Sequence, residues 1–338
     1  MHKNHLMALL MATTLLILPF NILIATASEE SARCEGLSCT NSWSGSVDQV
    51  VILRESTAIW CEVCAEVDPV VSEFVEGRPG QVTRIALHPD DGIDFLGNRV
   101  ATQQSWKMGQ NPIESEYPTI WIGNQQSISG LIDRNALHRG FLSAAGSNQQ
   151  EISINTHNRT NFEDRNDEFW SLEIQTYLPT TSGTYTFIIT EDQVEIEKPE
   201  LYNGIKLHNG VARSGAVINS SSGELLFSEP QDSWLLGNFS ILNDGRTFVN
   251  LTYQFPINEG IDVDNSKLSI IAEDSEGVAI ASATTPRVVA MSDSVLSPTA
   301  KISLSLLIIG LLLASPLMNT KKISKNDGNE KLAAESEE

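Results

Sequence analysis

The pattern of apolar and polar positions changes near residue 150. Before it, short apolar runs at 49–53 and 82–87 alternate with segments such as 64–75, where apolar residues recur at helical spacing. After it, helical spacing disappears and apolar residues alternate with polar ones, as over 185–189. A period near 3.6 residues predicts helices, whereas a period of two predicts half-buried strands. The pattern therefore predicts an α/β region followed by an all-β region.

Residues 48–146 are predicted to form the first region in the order β-α-β-α-β-β-α. The helix that begins near Cys64 ends at a cluster of glycine and proline. A second helix is predicted over 97–109 and a hairpin over 119–131. Asp133, a residue type that favours helix N-termini, precedes the last helix.

Residues 151–295 are predicted to form a β-sandwich of the immunoglobulin or jelly-roll type. Turn signals such as Asn203-Gly204 and Asn243-Asp244-Gly245 separate the alternating runs. Short strands separated by regularly spaced turns are typical of sandwiches. A short linker is expected over 144–150.

Both ends of the chain carry membrane signals. Residues 1–27 are predicted to be a cleaved signal peptide, because an apolar run follows Lys3 and small residues close it. Residues 302–318 are apolar and uncharged and precede lysines, so they are predicted to be a transmembrane helix with a cytoplasmic tail, 319–338. The alternatives are an uncleaved N-terminal anchor and a buried C-terminal helix. We expect a single-pass cell-membrane protein with extracytoplasmic N-terminal domains.

The charge balance excludes one class of partner. The 338 residues include 43 acidic and 22 basic ones, for a net charge of −21. Nucleic-acid binding depends on a basic surface, so no nucleic-acid partner is expected. The apolar fraction of 41% is sufficient for a packed core.

All four cysteines, Cys34, Cys39, Cys61 and Cys64, lie in one short window. A cluster that includes a CxxC sequence indicates redox chemistry or a metal. Cys34 and Cys39, in the predicted N-terminal extension 28–47, are expected to form a structural disulfide, which persists outside the cytoplasm. A second redox pair and a lipid-modified Cys34 are alternatives. Zinc bound by all four cysteines is a further alternative, but we predict no metal and no cofactor.

The residues around the CxxC sequence resemble a known family. Trp60-Cys61-Glu62-Val63-Cys64 lies at a strand-to-helix junction, and Pro69 follows in the helix. Glu55 precedes the first cysteine by six positions, and Tyr117-Pro118-Thr119 opens the late hairpin. With this element order, residues 48–146 resemble the thioredoxin superfamily. The resemblance implies a thioredoxin-like fold.

The chemistry expected of this motif is thiol–disulfide exchange. At the first turn of a helix, free N–H groups and the helix dipole stabilise the Cys61 thiolate, which attacks a substrate disulfide. Cys64 then resolves the mixed disulfide. The resemblance implies that Glu55 is a buried carboxylate that moves a proton; the alternative is a salt-bridged or edge-exposed residue. It also implies a substrate groove formed by three residues, Trp60, Tyr117 and Pro118.

Glu62 suggests the direction of exchange. A carboxylate beside Cys61 opposes thiolate formation and gives a less oxidising couple. The sequence therefore predicts a membrane-anchored extracytoplasmic thiol–disulfide oxidoreductase of the reductase or isomerase type. Its partners are protein thiols and disulfides and an unknown electron donor. The alternative is a non-enzymatic cell-surface binding or adhesion protein, in which an inert disulfide lies on a thioredoxin-like scaffold.

Two other segments carry candidate residues. Residues 207–213, Leu-His-Asn-Gly-Val-Ala-Arg, are similar to a His-Asn-x-Val-x-Arg segment of bacterial surface proteins that join a thioredoxin-like front to a β-rich back. His208 and Arg213 are expected in a turn and at an exposed strand position, or in docking the two domains. A solvated loop, with a cation site as the alternative, is expected at His88, Asp90 and Asp91.

Overall fold

The computed structural model describes residues 33–35, 38–47, 50–124, 127–145, 150–161, 169–255 and 260–285. The predicted signal peptide, transmembrane helix and cytoplasmic tail lie outside these ranges. Among the described residues, no helix has the length and apolar character needed to cross a bilayer. The described residues all fall within one compact unit, Met1–Met291.

The first region has the predicted order of elements. An N-terminal hairpin of β1 (Arg33–Glu35) and β2 (Ser38–Val47) precedes it. The region then runs through β3 (Val51–Ser56), α1 (Glu62–Glu76), β4 (Val82–Leu87), α2 (Arg99–Lys107), β5 (Thr119–Ile122), β6 (Ile128–Ser129) and α3 (Arg134–Ala145). The order β-α-β-α-β-β-α is confirmed.

The second region is built from strands. They are β7 (Ile152–Asn161), β8 (Phe169–Pro179), β9 (Thr184–Glu191), β10 (Val194–Glu195), β11 (Leu207–His208), β12 (Val211–Asn219), β13 (Leu225–Glu229), β14 (Trp234–Ile241), β15 (Arg246–Phe255), β16 (Ser266–Glu273) and β17 (Ala279–Thr284). The described chain is mostly β-strand with few helices, which confirms only the coarse prediction of a helix-containing region followed by an all-β region.

Local sequence explains where the helices begin. Cys61 is the N-cap of α1, and its Sγ accepts a hydrogen bond from the Cys64 N–H. Asp133 Oδ1 accepts a hydrogen bond from the Ala136 N–H at 2.7 Å, as expected of an N-cap. On α1, the residues at helical spacing face the sheet, and they include Val67, Val71 and Phe74.

Two large sheets contain nearly all the strands. One is antiparallel, with the order β1-β2-β7-β8-β15-β14. The other has the order β17-β16-β9-β12-β4-β3-β5-β6, with β13 on β12, and is mixed because β4 runs parallel to β3 and β12. This mixed sheet continues across the boundary predicted near residue 150. The predicted extension 28–47 also differs from expectation, because it contributes β2 to the antiparallel sheet.

Apolar side chains fill three layers. The largest layer lies between the two sheets, and its biggest members are Trp234, Tyr185, Tyr253 and Phe187. A second packs α1 and α3 onto one face of the mixed sheet and includes Leu53, Ile120 and Leu137. A third packs α2 onto the other face, where Val100 meets residues from both regions, Ile85, Ile188 and Ile271.

Polar contacts join the two regions at the mixed sheet. Arg54 on β3 forms a buried ion pair with Glu273 on β16 at 3.3 Å. The Ala86 N–H donates to the Gly210 carbonyl at 2.6 Å, at the point where β4 meets β12. Gly210 has φ +69°, and a Cβ there would lie 2.7 Å from the Arg84 carbonyl oxygen. Glycine is therefore required at this junction.

Candidate functional site

Cys61 and Cys64 form a disulfide at the N-terminus of α1. Their Cα atoms are 5.2 Å apart, and the Cys61 N–H donates to the Ala58 carbonyl in the preceding turn. The Cys64 N–H points at Cys61 Sγ, 3.0 Å away. Cys64 is fully buried, whereas Cys61 retains 6% of its surface. This N–H can stabilise negative charge on Cys61 when the disulfide is reduced.

Two aromatic side chains border the disulfide. Trp60 is 40% exposed, and its Nε1 donates to Asp91 Oδ2 at 2.9 Å. The Trp60 and Tyr117 rings meet edge to face with centroids 5.2 Å apart. Tyr117 also packs against the small cluster formed by Ala58, Cys61 and Cys64, and the Tyr117–Pro118 bond is cis. Trp60 and Tyr117, which were predicted to lie near the cysteines, are thus brought together there.

Glu55 is fully buried and faces α1. Its Oε2 lies 2.7 Å from Arg84 Nε, and Arg84 also pairs closely with Asp68 on α1. Burial raises the pKa of Glu55 above its ordinary value, and Asp68 acts in the same direction against the lowering effect of Arg84. One guanidinium therefore serves two buried carboxylates. Among the described residues, no donor reaches Glu55 Oε1.

A second buried group of side chains lies after β4, where the sequence predicted a solvated loop. That prediction is wrong for His88, which is buried with its Nδ1 2.8 Å from Asp94 Oδ2. Asp94 also accepts a hydrogen bond from the Ile59 N–H at 2.9 Å, in the turn before Cys61. The carboxylate therefore ties this loop to the CxxC turn.

His208 comes to the same place from the second region. It is buried rather than exposed, and its ring meets the His88 ring edge to face at 5.4 Å. Burial lowers the pKa of His208 to about 4, and the neighbouring His88 contributes in the same direction. His208 is therefore neutral at pH 7. Gly210 and Val211 of the same segment contact β4, which is the docking geometry that the sequence left as an alternative.

Asn203 is a contact residue that the sequence did not identify. Its backbone N–H donates to the Ile59 carbonyl at 2.8 Å. Its Nδ2 donates to the carbonyls of Ala58 and Cys61, at 3.1 and 3.3 Å. The sequence marked Asn203-Gly204 as a turn signal, and nothing local indicates the long-range contact. Arg84 and Asp94 were likewise not predicted as part of the site, and His208 was predicted only as a turn residue or a domain-docking residue.

Cys34 and Cys39 are directly opposed in the β1–β2 register. Cα atoms of opposed residues in an antiparallel pair are about 4.5–5.5 Å apart, within the range of a disulfide. The register is therefore compatible with the predicted structural disulfide, which stays a prediction.

Comparisons with known proteins identify no relative. No protein-family model, curated protein or solved structure matches this chain. Among the residues that the structure describes, no group of three or more His, Cys, Asp or Glu side chains is arranged to hold a metal ion.

Proposed function

We propose that this chain is a membrane-anchored, extracytoplasmic thiol–disulfide oxidoreductase that acts through Cys61 and Cys64. The observation that carries the proposal is the position of Cys61 Sγ at the N-cap of α1, within reach of the Cys64 N–H. Exposed Trp60 and neighbouring Tyr117 supply a surface beside the disulfide. The finer fold assignment, a thioredoxin-like unit joined to a β-sandwich, is part of the same proposal. The membrane anchor rests on the sequence of both termini.

In the reductase direction, the Cys61 thiolate attacks a substrate disulfide. A Cys61–substrate disulfide forms, and one substrate sulfur leaves as a thiolate. Cys64 loses its proton and attacks Cys61 Sγ, so that the Cys61–Cys64 bond forms and the second substrate thiolate leaves. Two electrons pass to the substrate, and the protons lost by Cys61 and Cys64 balance those gained by the substrate thiols. An external dithiol must then reduce Cys61–Cys64.

Glu55 is the proposed acceptor of the Cys64 proton. Both Glu55 and Cys64 lie between α1 and the sheet and are fully buried. A pKa raised by burial moves the carboxyl group towards neutral pH, where it exchanges protons more effectively. We expect Glu55→Gln to slow resolution of the mixed disulfide at pH 7 by about 100-fold. The measurement is rapid-mixing kinetics, with exposed Glu66→Gln on α1 as the matched control.

The alternative function is a cell-surface binding or adhesion protein. It is favoured by the low exposure of Cys61, because an enzyme needs an accessible first thiol. In that case the disulfide would hold the turn before α1 and exchange slowly or not at all.

A redox titration separates the two functions. Residues 28–298 carrying Cys34→Ser and Cys39→Ser isolate the Cys61–Cys64 couple. A reversible potential between about −120 and −270 mV, together with turnover of a model disulfide that Cys61→Ser abolishes, supports the oxidoreductase. A potential below about −300 mV, typical of structural disulfides, with no turnover supports the scaffold. A couple near about −120 mV would contradict the reductase or isomerase direction.

A further inference from the structure

A loop of the second region lies against the CxxC turn. Loop 196–206, which connects β10 to β11, is held there by Asn203. Asn203 donates hydrogen bonds to three backbone carbonyls of the turn, those of Ala58, Ile59 and Cys61. The loop therefore has a fixed position beside the cysteine that meets substrate.

Leu201 and Tyr202, which precede Asn203, expose large side chains to solvent. Leu201 is 69% exposed and Tyr202 is 39% exposed. The Tyr202 ring meets the ring of Phe95, which is 55% exposed, at 5.5 Å. Exposed apolar patches of this kind mark interaction sites. We call the following residues the apolar rim: Trp60, Ile93, Phe95, Leu201 and Tyr202.

The surroundings of the apolar rim are acidic. Four exposed carboxylates lie next in sequence to residues around the disulfide: Glu62, Asp90, Glu116 and Glu200. Glu62 adjoins Cys61, and Glu200 adjoins Leu201 of the rim. Asp90 and Glu116 adjoin Asp91 and Tyr117, which contact Trp60. Loop 196–206 carries two lysines, of which Lys206 is paired with Glu195 at 2.9 Å and Lys198 is exposed. The carboxylates outnumber the cations, so the surface is complementary to basic side chains.

We propose that loop 196–206 and the apolar rim dock an extended, cysteine-containing segment of a substrate protein, with apolar and basic side chains beside its reactive cysteine. The inference rests on the proposed function and names its substrate class. The apolar side chains of the segment cover Leu201, Tyr202 and Phe95, while its lysines or arginines face the carboxylates. The second region thereby selects the substrate that Cys61 receives.

The test uses the full chain and three probes. The first is a peptide with one cysteine between leucines and lysines, linked by a disulfide to a chromophoric thiol. The second has glutamate in place of lysine, and the third is hydroxyethyl disulfide. Leu201→Ser with Tyr202→Ser alters the rim, and Leu226→Ser on β13, a half-exposed leucine outside the rim, is the matched control. Binding of the lysine peptide with serine in place of cysteine is measured separately.

We expect the wild type to prefer the lysine peptide over the glutamate peptide, with a preference that weakens at high salt. The rim variant should lower the ratio of lysine-peptide to hydroxyethyl-disulfide kcat/KM by about tenfold, through KM. An unchanged ratio, or an equal fall with Leu226→Ser, overturns the docking surface. If no probe is turned over, the proposed function fails. In that case binding alone tests the docking surface. Binding of the serine peptide that is lost in the rim variant supports the docking surface, and equal binding overturns it.

Discussion

The two regions differ in what they bury. Between the two sheets, the second region buries a continuous apolar layer that includes Trp234, Tyr185 and Phe187. On β3 and β4, the first region buries Glu55 and Arg84 beside the CxxC helix. Apolar burial stabilises a fold, whereas burying charged groups costs free energy unless they are paired. The comparison predicts that substitutions at the buried charges and in the apolar layer depend differently on pH.

The largest expected effect comes from separating the regions. A chain that ends at residue 146 leaves buried Arg54 without Glu273 and removes half of the layer against α2, which includes Ile188 and Ile271. We expect this chain to lack a cooperative unfolding transition. Urea unfolding followed by near-UV circular dichroism checks it, with residues 28–298 as the control. A sharp transition at a similar midpoint would show that the first region folds alone.

The next largest effect is expected at the buried charges. Arg84→Ala leaves Glu55 and Asp68 without their shared cation, and loss of one partner of a buried pair costs about 3–5 kcal/mol. Without Arg84 the pKa of Glu55 rises further, so the loss should shrink as pH falls towards 4. Urea unfolding at pH 7 and pH 4.5 measures both. Arg99→Ala, which removes an exposed cation from partly buried Glu229, should cost at most about 1 kcal/mol.

A substitution in the apolar layer between the two sheets should lower the free energy of unfolding by the same amount at each pH. Leu251→Ala on β15 removes a fully buried side chain and should cost about 2–5 kcal/mol. The loss should be equal at pH 7 and pH 4.5, because no titratable group changes its surroundings. Leu226→Ala, at an exposed leucine, is the control for the same chemical change. A loss that varied with pH as strongly as that of Arg84→Ala would remove the distinction between the regions.

The smallest expected effect on the free energy of unfolding comes from His208 and appears only at acidic pH. The pKa of His208 is about 4 in the folded chain, below about 6.5 in the unfolded chain, so its contribution is lost as pH falls through this window. At pH 5 this loss amounts to about 2 kcal/mol. His208→Asn should remove that part of the acid sensitivity, measured as the difference in unfolding free energy between pH 7 and pH 5. Exposed His138→Asn is the matched control.

Local sequence predicted the elements and the cysteine site, but not the groups that surround the site. The spacing of Val67, Val71 and Phe74 is a property of α1 alone, so it indicates the helix wherever the helix packs. No local spacing predicts that Arg84 is buried in ion pairs, because its partners Glu55 and Asp68 lie on β3 and α1. His88 was expected in solvent for the same reason, since its ring packs against His208 of the second region.

By itself, the sequence determined the order of strands and helices, the change of period near residue 150, and the position of Cys61 at a helix start. These depend on neighbours a few residues apart, and the chain encodes them directly. The tertiary structure decided that both regions share one sheet, and that Asn203 and His208 reach the CxxC turn and the loop after β4. Contacts between residues more than a hundred positions apart depend on strand pairing and packing, which no local pattern specifies.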